Sequence, residues 1–86
     1  MDKKFLHRVL DQIVSETRID YDEGRMYTPF LSHSPLLTFP SLSLSSFLTL
    51  IPPFSKHCKN IYGLNEDEIN YVWNEYREII KDKIDG

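Results

Sequence analysis

A chain of 86 residues has room for one small domain, and its ten Lys and Arg against thirteen Asp and Glu leave a net charge of -3. That balance is too weak to argue for a basic nucleic-acid surface or for an acidic mimic of DNA, and it leaves the partner open. Cys58 is the only cysteine, so neither an intrachain disulfide nor a cysteine-rich zinc site can form, which suits a reducing compartment.

The start, Met-Asp-Lys-Lys-Phe-Leu-His, does not read as a signal peptide, because Arg8 and Asp11 interrupt any apolar run. The expectation is a cytoplasmic protein. Phe5, Leu6, Val9, Leu10, Ile13 and Val14 recur at the three- and four-residue steps of one helix face, with Lys3, Lys4, Arg8, Gln12 and Glu16 turned away. With Asp2 as cap, the pattern predicts a helix over 2–16.

Two exits from this helix compete. It could run on through Arg18 and Tyr21 to stop at Gly24, which accepts the left-handed conformation that ends helices. Alternatively Thr17, Ile19 and Tyr21 alternate as a strand within a short β-hairpin near residues 17–28. There Asp22-Glu23-Gly24 would be a three-residue loop with Gly24 in the left-handed bulge position. The hairpin accounts better for the β-branched and aromatic residues, but strands this short are marginal alone. Asp20, Asp22 and Glu23 also invite a calcium reading. An EF-hand loop from Asp20 would put Arg25 where glycine is needed and Leu31 where glutamate is needed, so a solvated turn is the better account.

Residues 26–55 contain no Lys, Arg, Asp or Glu; twenty-three of these thirty are Phe, Leu, Ser or Pro, and all five prolines of the chain are here. Codons for these residue types mostly begin with two pyrimidines, so the stretch resembles a translated pyrimidine-rich tract. The part over 26–53 reads as a low-complexity connection. A membrane span needs roughly twenty predominantly apolar residues. Residues 36–51 offer sixteen, broken by Pro40 and diluted by serines and Thr49, which argues against spanning. Alternation at Leu42, Leu44, Leu48 and Leu50 suits a strand, while Leu44, Phe47, Leu48 and Ile51 suit a helix, so periodicity does not choose. The simplest expectation is an irregular, proline-broken segment whose Phe30, Phe39, Phe47 and Phe54 supply core. If its leucines are left uncovered, Phe30, Leu42, Leu44, Phe47, Leu48 and Leu50 form an adhesive surface for a protein partner or a second copy.

Beyond it, Ser55 can cap a short helix over 55–62 in which Phe54, Cys58, Ile61 and Tyr62 share a face, closed by Gly63. The clearest helix of the chain covers 65–84: Ile69, Val72, Trp73, Tyr76, Ile79, Ile80 and Ile84 form its stripe. Asn65 and Glu68 make a capping box, and Leu64 is placed to staple against Ile69. Helix, glycine turn, helix is also the outline of a DNA-reading helix-turn-helix regulator. The acidic opening Glu66-Asp67-Glu68 would repel phosphate, so a packed helical hairpin is favoured.

His57 beside Cys58 suggests a nucleophile and its base, the basis of a third reading as a small enzyme. Adjacent helical side chains diverge by about 100°, which is poor geometry for sharing a proton. His7, His33, His57 and Cys58 show no metal-ligand spacing. No catalytic, cofactor or metal residue is therefore assigned, and Trp73 and Tyr76 read as core.

The run Phe54-Ser-Lys-His-Cys-Lys-Asn-Ile-Tyr-Gly-Leu-Asn-Glu-Asp-Glu-Ile-Asn-Tyr-Val-Trp-Asn-Glu-Tyr, with Ser15-Glu-Thr-Arg-Ile-Asp-Tyr-Asp upstream, resembles short unassigned proteins of large tailed phages of marine cyanobacteria. The likeness covers both ends of the chain and not the middle, and carries over no functional residue. It implies a small accessory protein acting in an infected cell or carried in a virion. Together these readings predict a mainly α-helical three-helix domain, two long amphipathic helices and one short, with a long irregular hydrophobic connection. The expected function is a non-enzymatic protein-protein interaction.

Overall fold

The computed structural model describes residues 2–30, 36–37 and 50–85, with side chains placed for all of these but 36, 37, 84 and 85. The fold is mainly α-helical. Helix α1 runs Lys3–Glu16, and the Asp2 carboxylate accepts from the Phe5 amide at 3.2 Å. Leu6, Val9, Leu10 and Ile13 are buried, while Phe5, at the margin of the stripe, is exposed.

The helix does not continue to Gly24. Thr17 is already extended at φ -84° and ψ 130°, and its hydroxyl donates to the Ile13 carbonyl. Strands β1 (Arg18–Asp20) and β2 (Arg25–Tyr27) then pair antiparallel, so the hairpin reading holds. Its loop is longer than the expected three residues. Asp20 pairs with Arg25, which leaves four residues between them, and the Asp20 side chain accepts from the amides of Asp22 and Glu23 at 3.1 Å each. A carboxylate that satisfies two turn amides stabilises the wider loop. Gly24 closes it at φ 68°, in the left-handed region. Alternation then turns Ile19 and the buried Met26 to the core side and Arg18 and Tyr27 to the other. A two-residue strand β3 (Leu36–Leu37) adds to the free side of β2, giving the order β1-β2-β3. It is the one described piece within 31–49.

The short helix starts earlier than the sequence suggests. Helix α2 spans Ile51–His57 and continues directly as a π-helical turn, Cys58–Tyr62. Ser55 lies inside it and caps nothing. Pro52 and Pro53 occupy the first turn, where a missing N–H costs no hydrogen bond and a fixed φ suits the helix, so two residues that read as breakers are starters. The π turn also overturns the expected face. Phe54 and Cys58 are fully buried and Tyr62 half-buried, but Ile61 is 64% exposed. An i→i+5 turn advances less per residue than an α turn, so Ile61 falls short of the face it would otherwise reach. Gly63, left-handed at φ 67°, donates back to the Cys58 and Lys59 carbonyls and ends the element.

Helix α3 (Glu66–Asp85) begins with the full capping box. The Asn65 amide donates to Glu68 Oε1 at 3.0 Å, and the Glu68 amide to Asn65 Oδ1 at 2.9 Å. Leu64 and Ile69 are both buried in the core, as the staple requires. The Ile84 side chain of the expected stripe lies outside the described ones. Helix α3 is the spine: α1 packs on one part of it and α2 on another, and Val72, Tyr76 and Ile80 are fully buried between them.

Candidate interaction surface

The uncharged stretch is bound to the core on both sides of the residues between Phe30 and Leu50. The Phe30 ring stands edge-on to the Phe54 ring at 5.3 Å and to the Tyr76 ring at 5.9 Å. From the other end, the Leu50 carbonyl accepts from the Phe54 amide at 2.9 Å, and the Leu50 side chain is 1% exposed. Phe54 in turn packs edge-on against Trp73 at 4.9 Å, so the anchor rests on α3. Edge-to-face pairs of this kind contribute about 0.5–1.5 kcal/mol each beyond their buried area. Of the six residues expected on an adhesive surface, Phe30 and Leu50 thus pack into the chain's own core. Leu42, Leu44, Phe47 and Leu48 lie outside the described residues.

The His57–Cys58 pair is not arranged for nucleophilic chemistry. Cys58 is fully buried, and burial pushes its thiol from 9.0 up to about 12, which disfavours the reactive thiolate. The His57 ring sits between Phe30, at 6.2 Å, and Tyr62, at 5.8 Å; its Nε2 is buried without a hydrogen-bond partner among the described residues. His7 is engaged elsewhere, its Nε2 3.0 Å from the Tyr71 hydroxyl. His33 lies outside the described residues, and among those described no three of His, Cys, Asp and Glu converge on a common point. The same residues include no helix long and apolar enough to cross a membrane.

Two surface clefts were not foreseen from the sequence. One, of about 580 Å³, lies along β1 and is lined by Arg18, Asp20, Tyr21, Asp22 and Tyr27. The Tyr21 hydroxyl beside it donates to the Lys83 carbonyl at 2.7 Å, tying the hairpin turn to the last turns of α3. The other, of about 420 Å³, lies at the elbow between α2 and α3, where Lys56, Lys59 and Asn60 face Glu66, Ile69 and Asn70. At this elbow Glu66 and Asp67 are exposed, so the opening turn of α3 carries the negative surface expected to oppose phosphate. The only sequence signal for the elbow is the change of sign across Gly63, from Lys56 and Lys59 to Glu66 and Asp67.

No family model matches the chain, and no curated protein or solved structure is significantly similar to it.

Proposed function

We propose that this chain is a small non-enzymatic accessory protein that binds another protein chain through the uncharged segment between Phe30 and Leu50. The supporting observation is that both ends of that segment are held in the core: the Phe30 ring stands against Phe54, and Leu50 is buried at the start of α2. A segment whose ends are already fixed has less freedom to lose on binding, so more of its apolar contact energy remains as affinity. Leucine and phenylalanine without charge suit the desolvated centre of a protein interface. The resemblance of both chain ends to short phage proteins fits an accessory role in the host cytoplasm or within a virion.

The test is Leu44→Asp and Phe47→Asp in the full chain, read by light scattering and by partner capture, with circular dichroism as the folding control. The reading predicts weakened assembly at unchanged helix content. Assembly and partner capture that are the same in wild type and both variants overturn it.

A further inference from the structure

The elbow between α2 and α3 carries opposite charges side by side that do not use one another. Lys56 and Lys59 stand on one wall of its cleft and Glu66 on the other, yet among the described residues none of the three forms an ion pair. All three are exposed, as is the neighbouring Asp67. In the same turn as Lys59 and Asn60, the π geometry turns Ile61 outward, the most exposed of the large hydrophobic side chains described.

A surface with a positive half and a negative half is complementary to itself. Under a two-fold axis, each residue i that meets j is matched by the j that meets i, so one substitution changes two contacts. We propose that two copies of this chain pair through the α2–α3 elbow, Lys56 and Lys59 of each copy facing Glu66 and Asp67 of the other. The cleft sets the charged Lys56, Lys59 and Glu66 beside the apolar Ile69, a mixture that suits a salt-sensitive contact between proteins. The occupant is a second copy because the charges that would recognise it are those the elbow itself displays. This pairing does not involve the segment between Phe30 and Leu50 and stands or falls separately from the function proposed above.

The experiment is sedimentation equilibrium on the full chain at low and high salt, for wild type, Lys59→Glu, Glu66→Lys and an equimolar mixture of the two variants. Wild type dimerises at low salt and dissociates as salt rises. Each variant alone sets like charges together at both symmetric positions and raises the dissociation constant by at least about tenfold. The mixture restores both pairs and recovers the dimer, an outcome that misfolding of either variant would not produce. Leu44→Asp leaves this dimer intact, which keeps its failure distinct from that of the proposed function. A wild type that stays monomeric at millimolar concentration overturns the proposal, as does a dimer indifferent to Lys59→Glu or a mixture no tighter than its components.

Discussion

The Tyr76 and Thr17 hydroxyl oxygens lie 2.9 Å apart, joining positions 59 residues distant in sequence. The direction of this bond follows from proton count: the Thr17 hydroxyl already donates to the Ile13 carbonyl, so Tyr76 must be the donor. One side chain thereby closes the C-terminal end of α1 and fastens it to the middle of α3. Tyr76→Phe keeps the ring and removes the bond. It is expected to lower stability by about 1 kcal/mol, visible as a fall of about 4–8 °C in the thermal midpoint. An unchanged midpoint would show that the hydroxyl contributes nothing.

Stability is expected to decline in alkali sooner than surface titration alone would cause. Burial raises the Cys58 thiol from 9.0 to about 12, and burial raises Tyr76 from 10.0 to about 12. Tyr62 is also raised, by burial first and then by the charges of Glu16 and Cys58. In the interval between ordinary and raised values the unfolded chain holds fewer protons than the folded one, so the folded state weakens with increasing pH. The contribution is complete below the ordinary thiol value of 9.0 and is lost as pH climbs toward about 12. Thermal midpoints measured across this range should be level at first and then drop, less steeply above the tyrosine value in Tyr76→Phe. A level profile up to about pH 11 would contradict the assignment.

Thr28 is only 6% exposed, and its hydroxyl oxygen has no hydrogen-bond partner among the described residues. Such a group carries its desolvation cost with no return, so Thr28→Val, of nearly the same shape, is expected to stabilise by about 1 kcal/mol. Chemical denaturation of the two proteins decides it. A destabilised valine variant would mean that the hydroxyl is in fact engaged.

The two long helices are readable from the chain because each is written twice, by an apolar stripe and by a cap: Asp2 for α1, Asn65 with Glu68 for α3. The start of α2 is not, since Pro52 and Pro53 carry the same local signal whether they stop a helix or begin one. Only the core position of Phe54 makes the difference. Strands of three residues are too short for alternation to outvote a continuing helix; the extended backbone at Thr17 is what decides for the hairpin. Composition alone also could not say that Phe30 and Leu50 face inward, because the same apolar side chain serves a core or an interface. The elbow charges belong to two elements and share one cleft only when the Gly63 turn folds them together, so no local pattern announces them.

Cys58 should behave as an inert thiol. Excess aromatic disulfide reagent at neutral pH is expected to label it only as fast as the protein unfolds, with one equivalent released at once in denaturant. A rapid phase in native buffer would revive the reading of this chain as a small enzyme.

Gly63 offers a separate test of backbone against packing. A Cβ built there meets nothing within 4 Å, while φ is +67°. The cost of Gly63→Ala is therefore conformational, about 1 kcal/mol, and Gly63→Asn should lose less because asparagine tolerates the left-handed region. Urea midpoints ordered glycine, asparagine, alanine support this. Equal midpoints for glycine and alanine would refute it.

The packing of α1 on α3 has a consequence for how fast the molecule assembles. Three ties to α3, from His7 of α1 to Tyr71, from its cap Thr17 to Tyr76 and from Tyr21 of the hairpin turn to Lys83, join residues 64, 59 and 62 positions apart. Helix-rich chains usually fold quickly because most of their contacts are local, whereas closing long loops before any contact forms slows the search. Here α2 and α3 adjoin across a tight turn and can meet early, but α1 must be gathered in across most of the chain. Its docking is the step expected to set the pace, making this a slower folder than its helical content alone would suggest.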